Sequence, residues 1–474
     1  MMKQPHTQQD ELVFVNISRP DEIKTASTQR TIRRTVMRDI GRSRRTQRKP
    51  RTWTLSVRQP FNPSTTAVDS LPSLTNTSIP ASIDPCNTAY YPVHLDDRGL
   101  QLMHFMTSDK DYVFRPFRSV WFSMALTDPS AIFVALANAA MFFDQRVRAQ
   151  EFKYETSSEC LAYYGRCVQQ VRARLGNVKE SLSEGVITAI LGLICHDLYV
   201  GMGDRWNTHF TGLERIIRSR GGYHGLSPNV ALFAFWLDVV GSVAEDTRPR
   251  MPKPSGLAAY LDAAPPDVIA PSVRGLLDNL LIRDGAFCDV VIAFNYVTSV
   301  AMAVDGVQRD TEPFWQREDS LTIIKLFGPA THFLLSMPRP VDLDSSLEGT
   351  KFLVEAIRLA LLLLLAALKR DVFRFTSSEL PHLQRKFTAL VAFLPMIKYD
   401  VLCLRLYLWA LVIASLIADA ERNDLYIAEI RSAINSLGID VNDALKLVKS
   451  ILWVDALHIQ TDQFISHLSK STCT

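Results

Sequence analysis

The chain has 474 residues, 47% apolar and 21% charged, the composition of a folded soluble protein with some loose segments. Net charge is +3, but Lys24 to Arg58 carries +11, which leaves −8 for the remainder. Seven cysteines, at 86, 160, 167, 195, 288, 403 and 473, are odd in number and nowhere spaced Cys-x-x-Cys, which argues against a disulfide framework and for reduced thiols.

The N-terminal MMKQPHTQQDELVF has no apolar centre of the kind a signal peptide needs. Residues 1–49 read as a basic segment. Ser18 and Asp21 match a capping box, with Pro20 suited to the first helical turn. Arg30, Arg34, Arg38 and Arg42 recur every four residues, so a helix here carries an arginine stripe. Arg44, Arg45, Arg48 and Lys49 extend the charge. Such a segment neutralises phosphates without reading bases. Its single aromatic, Trp53, gives little for base stacking. Nuclear import or a partner contact, direct nucleic-acid binding, and a merely solvated charged helix all fit it.

Residues 50–96 read as a disordered linker, with prolines at 50, 60, 63, 72, 80, 85 and 92 separated by Ser and Thr. From residue 97 to 474 the apolar period is helical. Pro129-Ser130 opens one helix, a second spans Cys160 to Leu175, and Ser183 caps a third whose inner face holds Ile187, Ile190, Leu191, Ile194 and Leu198. Trp206, Phe210, Leu213 and Ile217 form the next stripe, stopped by Gly221-Gly222. Six prolines over residues 248–272 mark a surface loop. Helical patterns return at 273–304, 352–370, 401–420, 425–437 and 441–468, with Gly438 and Asn442-Asp443 as breaks. The longest uncharged apolar run, Leu359–Leu368, has ten residues, half of what a membrane span needs, so it reads as buried helix and no membrane partner is expected. No run alternates as strands do. The fold class is therefore all-α, a large domain of packed helix pairs behind a basic, partly helical or disordered arm.

Enzyme signatures are missing. There is no Gly-x-Gly-x-x-Gly, no phosphate-binding Gly-x-x-x-x-Gly-Lys and no His-Glu-x-x-His. Cys195-His196-Asp197 names three catalytic residue types, but consecutive helical side chains diverge by about 100°, so the trio cannot form a triad. That spacing places Cys195 near the core and Asp197 outside. Asp96-Asp97-Arg98-Gly99-Leu100 lacks the later aspartate that a magnesium-binding terpene-cyclase motif requires. No catalytic residue, cofactor or metal is expected.

Trp206-x-x-His209-x-x-Gly212-Leu213, followed by Arg220-Gly221-Gly222, is the most distinctive stretch. Its residues have a packing explanation. Trp206 and His209 share a face with Leu213, Gly212 admits a neighbouring helix, His209 serves as a hydrogen-bonded core histidine, and Gly221 ends the helix. The stretch resembles the regulatory domain of fungal-specific transcription factors. Ala125-Leu126 to Asp144, Glu355-Ala356-x-Arg358-Leu359-Ala360, Leu406-x-x-Trp409-Ala410-Leu411 and Ile451-Leu452-Trp453 resemble other parts of that domain in the same order, over residues 97 to about 460. Val13-Phe14-Val15-Asn16, Pro20-x-x-Ile23-Lys24 and Val36-Met37-Arg38 resemble a head segment of fungal proteins with this domain. The resemblance implies a nuclear transcriptional regulator or cofactor whose partners are other regulators or a second copy of itself. It departs from the family at one point. Most members begin with six closely spaced cysteines that hold two zinc ions, and here no cysteine precedes Cys86. A cytoplasmic scaffold and an all-α enzyme stay open as other readings of the same helical pattern.

Overall fold

The computed structural model describes residues 91–109, 112, 117–255, 257, 268–307, 321–339, 349–372, 379–393, 400–418, 420–455, 464, 465 and 468. The arm, the linker up to residue 90 and much of the proline-rich loop lie outside them. The described residues form fifteen α-helices and two short 3-10 turns, with no strand among them. The helices are α1 (Asp97–Ser108), α2 (Arg118–Ala125), α3 (Pro129–Val147), α4 (Ser158–Leu175), α5 (Glu184–Val200), α6 (Gly203–Ser219), α7 (Pro228–Glu245), α8 (Pro271–Arg283), α9 (Cys288–Val307), α10 (Thr322–Ser336), α11 (Gly349–Val372), α12 (Glu379–Phe393), α13 (Val401–Ile417), α14 (Ala420–Leu437) and α15 (Val441–Ile451).

Local chemistry sets most helix ends. Asp96, Asp128, Ser183, Ser227, Asp400 and Asp440 cap α1, α3, α5, α7, α13 and α15, each accepting a backbone N–H of the first turn. Asp128 is thus the cap that precedes Pro129. Asn442 and Asp443 lie inside α15 rather than at a break, because Asp440 takes the cap and draws the helix start back to Val441. Gly201, Gly221 and Gly438 take positive φ just past helix ends. At the end of α6, Gly221 N–H reaches the Arg218 carbonyl at 3.0 Å and Gly222 N–H reaches that of Ile217 at 2.9 Å, a Schellman motif.

Packing divides the helices into a front group and a rear group. In front, α3 lies against α1, α4 and α5, and α5 carries α6. At the rear, α11 lies against α9, α12 and α13, and α13 holds α14 and α15. Helix α7 touches both groups, meeting α5 on one side and α10 and α12 on the other. Every residue from Val230 to Val243 is accordingly buried. In α11 the run Ala356–Lys369 is buried throughout, Arg358 included. Burial of each leucine there contributes about 1.5–3 kcal/mol. Trp409 of α13 packs its ring 5.1 Å from Phe294 and donates Nε1–H to the Leu452 carbonyl at 2.9 Å, which ties α13 to the end of α15.

The stretch Gly285–Gly306, spanning a 3-10 turn and most of α9, is long and apolar enough to cross a membrane by length and composition, at mean hydropathy 1.7. More than half of it is buried against other helices, as in a core helix. Counting only uncharged runs overlooks it, since Asp289 and Asp305 interrupt the stretch.

Candidate functional site

The arm residues Arg30, Arg34, Arg38, Arg42, Arg44, Arg45, Arg48 and Lys49 fall outside the described residues. The Trp206–Gly222 stretch is described in full and has two tasks. Trp206 stacks on Phe210 with centroids 5.2 Å apart, and the Arg250 guanidinium lies 4.5 Å from the Phe210 ring centre. The glycine that admits this indole is Gly241 of α7, where an added Cβ would lie 2.6 Å from Trp206 Cε2 and Cη2. Gly212 has nothing within 4 Å of the corresponding position. The close approach therefore belongs to the partner helix, because the side chain that needs room projects from α6. Arg220 donates from Nη1 to the Leu182 carbonyl and, at 3.1 Å, from Nη2 to that of His224. It thereby clasps the residue ahead of the Ser183 cap.

His209 opens onto a polar node between α3, α4, α5, α6 and the 3-10 turn Tyr154–Thr156. His196 of α5 is fully buried, with Nδ1 2.7 Å from Asn138 Oδ1 and Nε2 3.0 Å from the Tyr154 hydroxyl. One proton arrangement satisfies all of them. Nδ1–H donates to Asn138, the Tyr154 hydroxyl donates to Nε2, and Arg205 Nη2 donates to the Tyr154 oxygen at 3.0 Å. Asp197, also fully buried, accepts Arg205 Nε at 3.0 Å and a second, shorter bond from Nη2. The Tyr164 hydroxyl lies 3.2 Å from both Asp197 oxygens and 3.0 Å from His209 Nε2. The Arg205 guanidinium sits 4.5 Å from the Tyr164 ring centre.

Asp197 is thus inside, not outside. Helix α5 is enclosed by α3, α4, α6 and α7, so residues about 100° apart on it are both shielded. Cys195, expected near the core, is half-buried and packs against it. The Cys195-His196-Asp197 trio makes no triad, since His196 turns to Asn138 and Tyr154. A different trio does converge: Cys160 Sγ lies 4.0 Å from His196 Nε2, and Asn138 holds Nδ1. A cysteine–histidine–asparagine set is a known nucleophile arrangement, and here both titratable members have the wrong ionisation for that chemistry. Burial pushes the Cys160 thiol up to about 12. Burial, aided by the Arg205 charge, drops His196 to about 3. Cys160 is shut off from solvent, and Tyr154 already occupies the nitrogen that would take its proton. Burial also lifts Asp197 to about 6 against the pull of Arg205, and burial with the Arg205 charge holds His209 below its ordinary value. Chemically, the node fastens five elements together through matched donors and acceptors.

Among the described residues no cluster of three or more His, Cys, Asp or Glu is placed to hold a metal ion. A recess of about 190 Å³ lies between Lys253, Tyr296, Pro329, His332, Phe333 and Ser336. Pockets for drug-sized ligands run to roughly 300–1,000 Å³.

No curated protein and no solved structure matches the chain. A family model does, and the match begins inside α1 and ends on the last residue of α15. It is the model described as the fungal specific transcription factor domain, matched over residues 101–451. A match across that much of the sequence, on an all-helical body that carries the Trp206–Gly222 stretch, establishes the membership: the chain belongs to the fungal specific transcription factor domain family.

Proposed function

We propose that the protein is a nuclear transcriptional regulator or cofactor that works by binding through its helical domain. The observation that carries this reading is the family match over residues 101–451. The domain would engage another regulator, a second copy of itself, or a small effector. The basic arm would bring it to the nucleus or to DNA by phosphate neutralisation. The node chemistry supports a binding role over a catalytic one, since its thiol stays protonated and its imidazole stays neutral near pH 7.

The experiment replaces Arg34, Arg38, Arg42, Arg44 and Arg45 together by Ala. The substituted protein is expected to lose nuclear accumulation or salt-sensitive DNA binding. Each phosphate contact removed lowers the slope of log K against log salt by about 0.9. Unchanged localisation together with unchanged nucleic-acid affinity sinks the arm's role. Exclusion of the unsubstituted protein from the nucleus favours a cytoplasmic scaffold.

A further inference from the structure

The end of α7 holds a second charged node, built differently from the one at Asp197. Asp246 follows the last residue of α7 with positive φ, buried, in a Schellman turn formed by its own N–H and that of Thr247. Its carboxylate accepts Arg358 through two bonds, at 2.9 and 3.0 Å, and Lys386 Nζ at 2.8 Å; Arg339 Nη2 stands 3.5 Å away. Glu355 takes the other edge of the Arg358 guanidinium, at 2.6 and 2.7 Å. The positive charge does not stop there. Arg248 lies within the field of Arg339, and Arg385 and Lys386 within that of His382, whose own field includes Glu245 and Asp246. Five cations, Arg248, Arg339, Arg358, Arg385 and Lys386, face three carboxylates, Glu245, Asp246 and Glu355.

Three observations show that this excess is unanswered within the described residues. Arg339 Nε and His382 Nε2 are both shielded from solvent, and neither has a hydrogen-bond partner. Arg248 and Arg385 have no carboxylate within ion-pair distance; the contact of Arg385 is His382 Nδ1 at 3.5 Å, an imidazole rather than an anion. Arg248 and Arg385 are exposed and Lys386 is partly exposed, so the positive side of the node faces solvent while Arg358 and Asp246 form its floor. Like charges gathered at a low-dielectric surface focus an attractive potential for an anion. Arginine forks and lysine matched to several oxygens suit a phosphate better than a single carboxylate.

We propose that the outward side of the Asp246 node is a phosphate-binding site, taking a phosphate group either free or carried by a small effector. Asp246 organises the floor, Arg339 and Lys386 contact the oxygens, and Arg248, Arg385 and His382 close the rim. Burial and the charges of Arg358 and Arg248 pull Arg339 below its usual value. Burial with Lys386 and Arg385 does the same to His382. A bound dianion relieves both. The proposal supplies a ligand class for the effector of the regulatory reading, and it rests on that reading for its role, not for the binding.

The test is calorimetric titration of the full chain, at fixed ionic strength, with inorganic phosphate and with glycerol phosphate. Four proteins are compared: the unsubstituted chain, R248Q/R385Q, the five-arginine arm variant, and D342N/D344N. Saturable binding is expected in the unsubstituted chain, weakened roughly fivefold in R248Q/R385Q, whose positions are exposed, and changed less than about twofold in the arm variant. Nuclear magnetic resonance should show the His382 titration moving up when phosphate binds. Equal affinity for the two probes assigns inorganic phosphate as ligand; tighter glycerol phosphate binding assigns a phosphorylated metabolite, and both support the site. Three results overturn it: no saturable binding, loss of binding in the arm variant with R248Q/R385Q unaffected, or binding that appears only in D342N/D344N, which would mean that the chain's own acidic residues after Arg339 hold the site. Failure here leaves the nuclear reading standing, and unchanged localisation of the arm variant leaves the phosphate site standing.

Discussion

Asp197 in the front group and Asp246 at the end of α7 are both shut off from water, yet their carboxylates are displaced in opposite directions. Asp197 has one cationic partner, Arg205, and burial wins, lifting it from 3.8 to about 6. Asp246 meets Arg358, Lys386 and Arg339, and despite burial these hold it below its ordinary value. Burial penalises both charges alike, so the number of cations and N–H donors on each carboxylate decides the sign. The first node fixes geometry among front helices at some electrostatic cost. The second draws α7, α11, α12 and the end of α10 together with charge to spare.

The largest test of this contrast is Arg358→Met. Removing the buried guanidinium leaves Asp246 and Glu355 facing each other with less compensation, and a loss of about 3–5 kcal/mol in urea unfolding is expected. A loss under 1 kcal/mol would mean that Lys386 and Arg339 suffice, and Arg358 would not be what holds the end of α7 to the rear helices. Next in size is Gly241→Ala, which drives a methyl into the Trp206 indole and should cost about 1–3 kcal/mol. A neutral outcome would show that the indole swings aside without penalty.

The pH dependence separates the two aspartates more finely. Between roughly pH 4 and 6 native Asp197 keeps a proton that the unfolded chain has released, so its contribution declines as pH rises through that window. Asp197→Asn should remove that decline, about 3 kcal/mol in all, and change nothing below it. Asp246 has the reverse sign. Its stabilisation is present above its unfolded value of 3.8 and is lost as pH falls through the lower folded value. An Asp246→Asn protein with the parent's acid limb would contradict this assignment. Smallest of all, Gly212→Ala should stabilise by about 0.5–1 kcal/mol, since its helical position has open space beside it. Destabilisation would restore a packing role to Gly212.

How much of this was legible in the chain depends on distance along it. Caps and stops involve residues two to five apart, so Ser183 and Gly221-Gly222 could be read directly. Helix stripes were legible wherever one face is polar, as in α4 and α6. Helix α7 is not legible as a stripe because it is buried on all sides and its apolar residues show no face, the signature of a helix surrounded by others. The motif points to Gly212 for the contact that Gly241 makes, because it shows where the tryptophan starts but not which helix receives it. Of the polar nodes only the hydrogen-bonded role of His209 is legible. His196 and Asp197 meet partners 58 and 33 positions away, and Asp246 meets Arg358 and Lys386 at separations of 112 and 140. No local pattern encodes such pairings.

Those separations matter during synthesis. A ribosome adding roughly 5–20 residues each second delivers Arg358 many seconds after Asp246. For that interval the end of α7 carries an unanswered carboxylate, and its largely apolar flank lacks the α10 and α12 surfaces that later cover it. The emerging polypeptide therefore passes through a stage that chaperones would be expected to recognise. A premature stop codon anywhere before residue 358 should yield a product cleared by proteolysis rather than a shortened working protein.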